Sequence, residues 1–418
     1  MTTKSMGDFI TSFFRRRRDA ICGIVLISIS WRCVFVPLNN IYPSKVGEQL
    51  CRCTSHNCAR ESNSTGAMSV GFSSDFLRDC SQTLLKTLED THMHSQPVKD
   101  LLGSAIASLN TGEREDWLRS LNPIIIKDKS YLHEHVRSIC NVSNSVALVT
   151  IANGVMPNIQ EWCLYHLLSG VKQIFIYDDA NPEMSTSANF HAALQPFVDT
   201  ELVVLKDVVM EGGWGRKELT AFDDFLRNHA PSFDWFGVLG SDEYFVIHTT
   251  ECIPTFLHNF RQHGGFVAMQ NMRNMIGVRH HDPFQTHMEQ YHCYFHDERG
   301  EVKSFVQPQY VKRFVIHHAE YIAGYHAVDA FGQIVDGPFD SANALHSSRY
   351  SSAEVRHYWT GDWKFALYEK ICGDNQQRKL HKAVRAQSFL RALNDGCNAT
   401  FDALPPIHSK FKRILYGA

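Results

Sequence analysis

The stretch Asp234–Ile247, DWFGVLGSDEYFVI, limits the possible folds of this chain more than any other. An apolar run from Trp235 to Leu239 meets a small-residue break, Gly240-Ser241. Two adjacent acids follow, Asp242 and Glu243, and then a second apolar run from Tyr244 to Ile247. Short apolar runs bounded by turn residues read as buried strands of a parallel sheet. Ligands of open α/β sheets bind beyond the carboxyl ends of the strands, where this acidic pair would project. Carboxylates in that position hold a divalent cation, and the cation holds the phosphates of a nucleotide. The competing reading is a turn whose exposed acids bind nothing.

The residues before this stretch repeat the pattern. Val146–Ile151 is an apolar strand ending at the turn signal Asn153-Gly154. Asn158–Leu168 reads as a helix stopped by Gly170, and Val171–Tyr177 as a strand closed by Asp178-Asp179. A helix over Phe190–Phe197, a strand over Leu202–Leu205 and a helix over Lys217–Asn228 complete the series. Pro123–Ile126 is expected to add a strand. Such alternation predicts a mostly parallel central sheet flanked by helices. Acids then sit at two strand ends, Asp178/Asp179 and Asp242/Glu243. The chain has no GxGxxG after its first strand, no GxxxxGK[ST] and no GxSxG, which argues against dinucleotide dehydrogenases, P-loop phosphotransferases and α/β-hydrolases.

Composition sets the class of partner. With 418 residues, 44% apolar, and a net charge of −3, the chain is expected to build a sizeable core, and its charge argues against nucleic acid as the main partner. The N-terminus implies a membrane. Arg15–Arg18 precedes the apolar Ala20–Trp31, and Cys33–Leu38 follows a single Arg32. A basic flank before an apolar run is the order of a signal peptide or signal anchor, and the positive-inside rule keeps the arginines cytosolic. The expected organisation is a cytosolic tail at 1–18, a type II anchor at 19–38, a stem with pre-domain helices at 39–140, and a lumenal catalytic domain at 141–418. Three N-x-[ST] sequons, at Asn63, Asn141 and Asn398, agree with a lumenal body. Ten of the twelve cysteines lie beyond the apolar segment, an even number compatible with disulfides. Cys372 with Cys397 is one candidate pair.

Four segments, in order, carry a family resemblance. Asn153–Asp179 (NGVMPNIQEWCLYHLLSGVKQIFIYDD) resembles the opening of the family 92 glycosyltransferases, which are related to family 2. Trp235–Phe245 is similar to that family's strand-end Asp-x-Asp-Glu-Phe. Lys303-Ser-Phe-Val-Gln-Pro308 with Phe314-Val-Ile-His-His318 resembles its Lys-Ser-x-x-x-Pro and His-His elements. His357-Tyr358-Trp359-Thr360, with Trp363 and Lys370, resembles its closing segment. The likeness covers roughly residues 145–375. Two positions depart from the pattern: Gly240 stands where the family has the first motif aspartate, and Gly154 where it has glutamate.

The resemblance implies a GT-A type fold, a UDP-hexose donor, galactosyl transfer with inversion, and Mn²⁺ or Mg²⁺ weakened by Gly240. It assigns catalysis to Asp242 and Glu243 and metal binding to Asp242 with His317 or His318. Donor binding falls to Asn153, Asp178, Asp179, Trp214, Arg216, Lys217 and Lys303, and the acceptor or closing motif to His357, Tyr358 and Trp359. Arg313 is a further candidate to counter the diphosphate. Asp282, Glu320, Asp329, Asp336 and Asp340 stay open as the base. The implied setting is a Golgi or ER membrane protein acting on a glycan or glycoprotein. A catalytically degenerate carbohydrate-binding or scaffold protein of the same fold is the alternative.

Overall fold

The computed structural model describes residues 82, 100, 125–127, 129–136, 140, 144–152, 158–178, 185–207, 214–273, 285–291, 293–295, 302–315, 317–335, 352–358, 399–400 and 404–416. All the elements below belong to one unit, Val70–Ala418. The segment at 15–38 and the sequons at Asn63, Asn141 and Asn398 lie outside the described residues, as do Cys372 and Cys397. Among the described residues no helix is long and apolar enough to cross a membrane.

Helix α1 (Lys129–Val136) precedes β1 (Val146–Ala152), the sheet's central strand. Every residue of β1 is buried, and its side chains divide by alternation. Val146, Leu148 and Ala152 join the core on one face; Ala147, Val149 and Ile151 join the core on the other. Strand β1 therefore needs the unbroken apolar run seen in the sequence.

Helix α2 (Ile159–Leu168) is buried along its whole length. It ends in paired bonds, Gly170 N–H to Leu167 O at 3.0 Å and Val171 N–H to His166 O at 3.1 Å. That is a Schellman stop with glycine in the left-handed region, at φ 95°. A side chain at Gly170 would also meet Cys140 Sγ at 2.5 Å. Cys140 is joined by a disulfide to Cys252, a partner the sequence did not indicate.

Strand β2 (Gln173–Asp178), α3 (Ser185–Val198), β3 (Val203–Asp207), α4 (Trp214–Asn228) and β4 (Trp235–Val238) follow. Strands β3, β2, β1 and β4 are neighbours in that order and all pair in parallel. Beyond β4 the sheet becomes mixed. Helix α5 (Ile253–His258) leads to β6 (Gly265–Arg273), and α6 (His287–Gln290) to β7 (Cys293–Phe295). Strand β8 (Val302–Val306) lies between β4 and β6, antiparallel to both. The expected mostly parallel α/β sheet thus forms its parallel half from the predicted alternating elements.

One expectation fails. Ile125 and Ile126 form no strand; their N–H groups donate to the Gln160 side chain at 2.8 and 2.9 Å. An α2 amide replaces the strand partner.

The rest of the chain reaches back to the sheet. Strands β9 (Val311–Val315) and β10 (His318–Tyr321) form a separate ribbon, and β11 (Ala327–Val328) and β12 (Ile334–Val335) extend the sheet edge. Strand β13 (Ala353–His357) pairs with both β5 (Glu243–Ile247) and β6; β14 (Ala399–Thr400) pairs with β7, and α7 (His408–Tyr416) ends the described fold.

Candidate functional site

The acidic turn forms because β4 stops at the sheet's carboxyl edge and the chain then reverses. Leu239 N–H still donates to Val149 O at 3.2 Å, and Glu243 N–H closes the turn onto Gly240 O at 2.9 Å. Gly240 N–H donates to Glu243 Oε2 at 2.6 Å. A Cβ on Gly240 would sit 2.8 Å from Asp242 Oδ1 and 3.2 Å from Glu243 Cδ. Glycine therefore lets the two carboxylates fold back over the turn.

Strand β5 leaves the turn antiparallel to β13, with Glu243 opposite His357. Tyr358 N–H donates to Asp242 O at 2.8 Å. This register brings an imidazole to the acids. His357 Nε2 lies 3.4 Å from Asp242 Oδ2, and its Nδ1 lies 3.8 Å from Glu243 Oε1. One donor atom from each of Asp242, Glu243 and His357 falls within 4.8 Å of the others, a set able to hold a metal ion. Carboxylate and imidazole donors fit a first-row divalent cation.

Helix α2 holds this turn from below through Trp162, Tyr165 and His166 of the Glu-Trp and Tyr-His pairs singled out in the sequence. Trp162 Nε1 donates to Glu243 O at 2.7 Å, and Tyr165 Oη to Phe245 O at 3.2 Å. Phe245 N–H donates to His166 Nε2 at 3.3 Å, while His166 Nδ1 donates to Trp162 O at 2.9 Å. His166 is therefore a neutral ring, and burial pushes its pKa down to about 3. Glu161 turns the other way and accepts from His287 N–H at 2.8 Å.

Lys303, on β8, places Nζ 3.0 Å from Glu243 Oε2. Burial opposes its charge most strongly, but Glu243, then Glu218 and Asp242, outweigh it and raise the lysine pKa. His317 follows β9 and is lowered to about 4, by burial first and then by the Lys303 charge. His318 begins β10 and is lowered by burial, against the nearby Glu320. The structure thus brings His357 to the acidic pair, sets His317 within electrostatic reach of Lys303, Glu243 and His357, and carries His318 into the β9–β10 ribbon.

The other expected residues are distributed as follows. Asp178 is buried at the end of β2, its Oδ2 2.6 Å from His191 Nε2 of α3. Arg216 and Lys217 lie in the first turn of α4, exposed and half-buried respectively. Tyr358 is buried against Tyr244 and His287, with ring centroids 5.4 and 5.6 Å apart. Arg313 pairs with Glu320 on the ribbon, and Asp329 accepts from Phe331 and Gln333 N–H at 2.8 and 3.0 Å. Asn153, Asp179, Trp359, Asp282, Asp336, Asp340 and the Trp214 ring lie outside the described residues.

No protein-family model and no curated protein matches the chain. Among solved structures, a UDP-glucose pyrophosphorylase complexed with UDP-glucose aligns at 10% identity and TM-score 0.23, covering 59% of this chain and 97% of that one. A mannose-1-phosphate geranyltransferase from Thermus thermophilus aligns at 13% identity and TM-score 0.21, covering 66% and 68%. The mannosyltransferase Ktr4p from S. cerevisiae aligns at 10% identity and TM-score 0.20, covering 48% and 56%. At those TM-scores the likenesses carry no argument about chemistry.

Proposed function

We propose that this protein is a glycosyltransferase that moves a hexose from a UDP-sugar to a glycan or glycoprotein acceptor. The observation that carries this reading is the Asp242–Glu243–His357 cluster beyond the carboxyl end of β4, a strand that pairs in parallel with β1. A crevice there is where α/β sheets bind nucleotides. When bound by these three residues, Mn²⁺ or Mg²⁺ supplies positive charge to the diphosphate leaving group. The β5–β13 pairing, with Glu243 opposite His357, and the Tyr358 N–H bond to Asp242 O hold that ligand set in register. Asp178, paired with His191 at the next strand end but one, is assigned to the nucleoside. Arg216 and Lys217, in the first turn of α4, are assigned to the leaving phosphates, where a helix N-terminus also favours negative charge.

Transfer of galactose with inversion, and a type II Golgi or ER membrane setting, belong to the same proposal. The Cys140–Cys252 disulfide supports an oxidising compartment. The second reading, a carbohydrate-binding protein without turnover, draws on Gly240, which removes one carboxylate from the turn.

A UDP-release assay on the lumenal body, scanning UDP-sugars with Mn²⁺, Mg²⁺ and chelator, separates the two. Metal-dependent release from one donor, abolished in Asp242→Asn, is the expected result. Donor binding without release favours the second reading, and no binding of any UDP-sugar overturns both.

A further inference from the structure

Lys303 belongs to a different part of the sheet from the acidic turn, yet it is built into it. It is 8% exposed, because β8 runs between β4 and β6 with every residue buried. Its Nζ meets Glu243 Oε2 at 3.0 Å, the same oxygen that takes the Gly240 N–H at 2.6 Å. Glu218, near the start of α4, and Asp242 add their charges to its surroundings. A buried ammonium is costly unless paired. Here the pairing partner is a residue of the candidate metal set. A lysine that clamps a ligand phosphate presents its charge to the crevice, whereas this one is engaged by a protein carboxylate.

We propose that Lys303 is a positioning residue that keeps the Asp242–Glu243–His357 site weak for a free divalent cation, so that cation and anionic ligand bind together. Two carboxylates and one ammonium leave the site a single net negative charge, and the ammonium repels a dication a few ångströms away. A diphosphate supplies the missing negative charge. Coupling of this kind is reciprocal, so cation and diphosphate tighten each other by the same factor. The identity of the anion as a nucleoside diphosphate rests on the function proposed above; the effect of Lys303 on the bare cation does not.

The test is a Mn²⁺ titration followed by electron paramagnetic resonance, with and without UDP, on the wild type and on K303M, K303Q and K303R. Both neutral variants are expected to bind Mn²⁺ alone at least about tenfold tighter than the wild type, the order expected when a like charge is removed at short range. K303R is expected to keep the wild-type affinity. A gain in affinity is something that structural damage does not produce. If K303M does not fold, K303Q, whose amide is able to donate toward Glu243, carries the test. Unchanged or weaker Mn²⁺ binding in a folded neutral variant overturns the role of Lys303, whatever UDP does. A gain without any effect of UDP upholds that role and counts against the UDP-sugar donor.

Discussion

The two halves of the sheet differ in how their geometry is specified. From β1 to β4, strands and helices alternate along the chain and every pairing, β1 with β2, β2 with β3 and β1 with β4, is parallel. In the second half, β13 pairs with β5 and β6 across long stretches of sequence, and the candidate site depends on those joins. The first half is a scaffold set by local pattern. The second is a site set by register. Sliding β13 by one residue against β5 would turn His357 to the opposite face and disperse the cluster.

Substitutions under the turn should give the largest stability effects, because the two halves meet there. Trp162 is fully buried and its indole holds Glu243 O at 2.7 Å. Trp162→Ala is expected to cost about 3–5 kcal/mol in chemical denaturation, since it combines a cavity with a lost buried hydrogen bond. A loss below about 1 kcal/mol would mean that α2 does not support the site.

The Cys140–Cys252 disulfide ties the segment before β1 to the start of α5. Cys252→Ser is expected to cost about 2–4 kcal/mol, by a mechanism that depends on how the unfolded chain is constrained. Equal stability of the wild type with and without reductant would show that the bond does not form.

His166 gives a pH signature. Its folded pKa is depressed from 6.5 to about 3, so the folded state excludes a proton that the unfolded state accepts. Its contribution is complete above pH 6.5 and is lost as pH falls from 6.5 toward about 3. The expected slope is about 1.4 kcal/mol per pH unit at most, and it should diminish in His166→Gln. A wild-type slope that His166→Gln leaves intact would assign the acid sensitivity elsewhere.

Gly240→Ala should have the smallest effect on stability and a specific effect on the site. Its Cβ would lie 2.8 Å from Asp242 Oδ1, a side-chain end that is able to move. The expected outcome is stability within about 1 kcal/mol of wild type, with weaker Mn²⁺ binding. Unaltered Mn²⁺ affinity would show that the acids are not packed against Gly240.

This contrast also explains what the sequence made legible. The run Val146–Ile151 announced β1 because a strand buried on both faces needs apolar residues at every position. Asp242 and Glu243 stood out because an apolar run stopped beside them. His357 was singled out only as part of a closing motif, since its place opposite Glu243 depends on a long-range register that no local pattern encodes. Lys303 read as a phosphate contact for the same reason; only the β4–β8–β6 order sets it beside Glu243. Trp162, Tyr165 and His166 were visible as residue types, but their work beneath β5 was not.

The central claim is that His357, with Asp242 and Glu243, holds a divalent cation. Pulsed electron paramagnetic resonance of bound Mn²⁺ reads imidazole nitrogen directly as a hyperfine coupling. The expected result is a nitrogen coupling that vanishes in His357→Gln and persists in His317→Gln and His318→Gln. A coupling that survives His357→Gln, or disappears with His317 or His318, would contradict it.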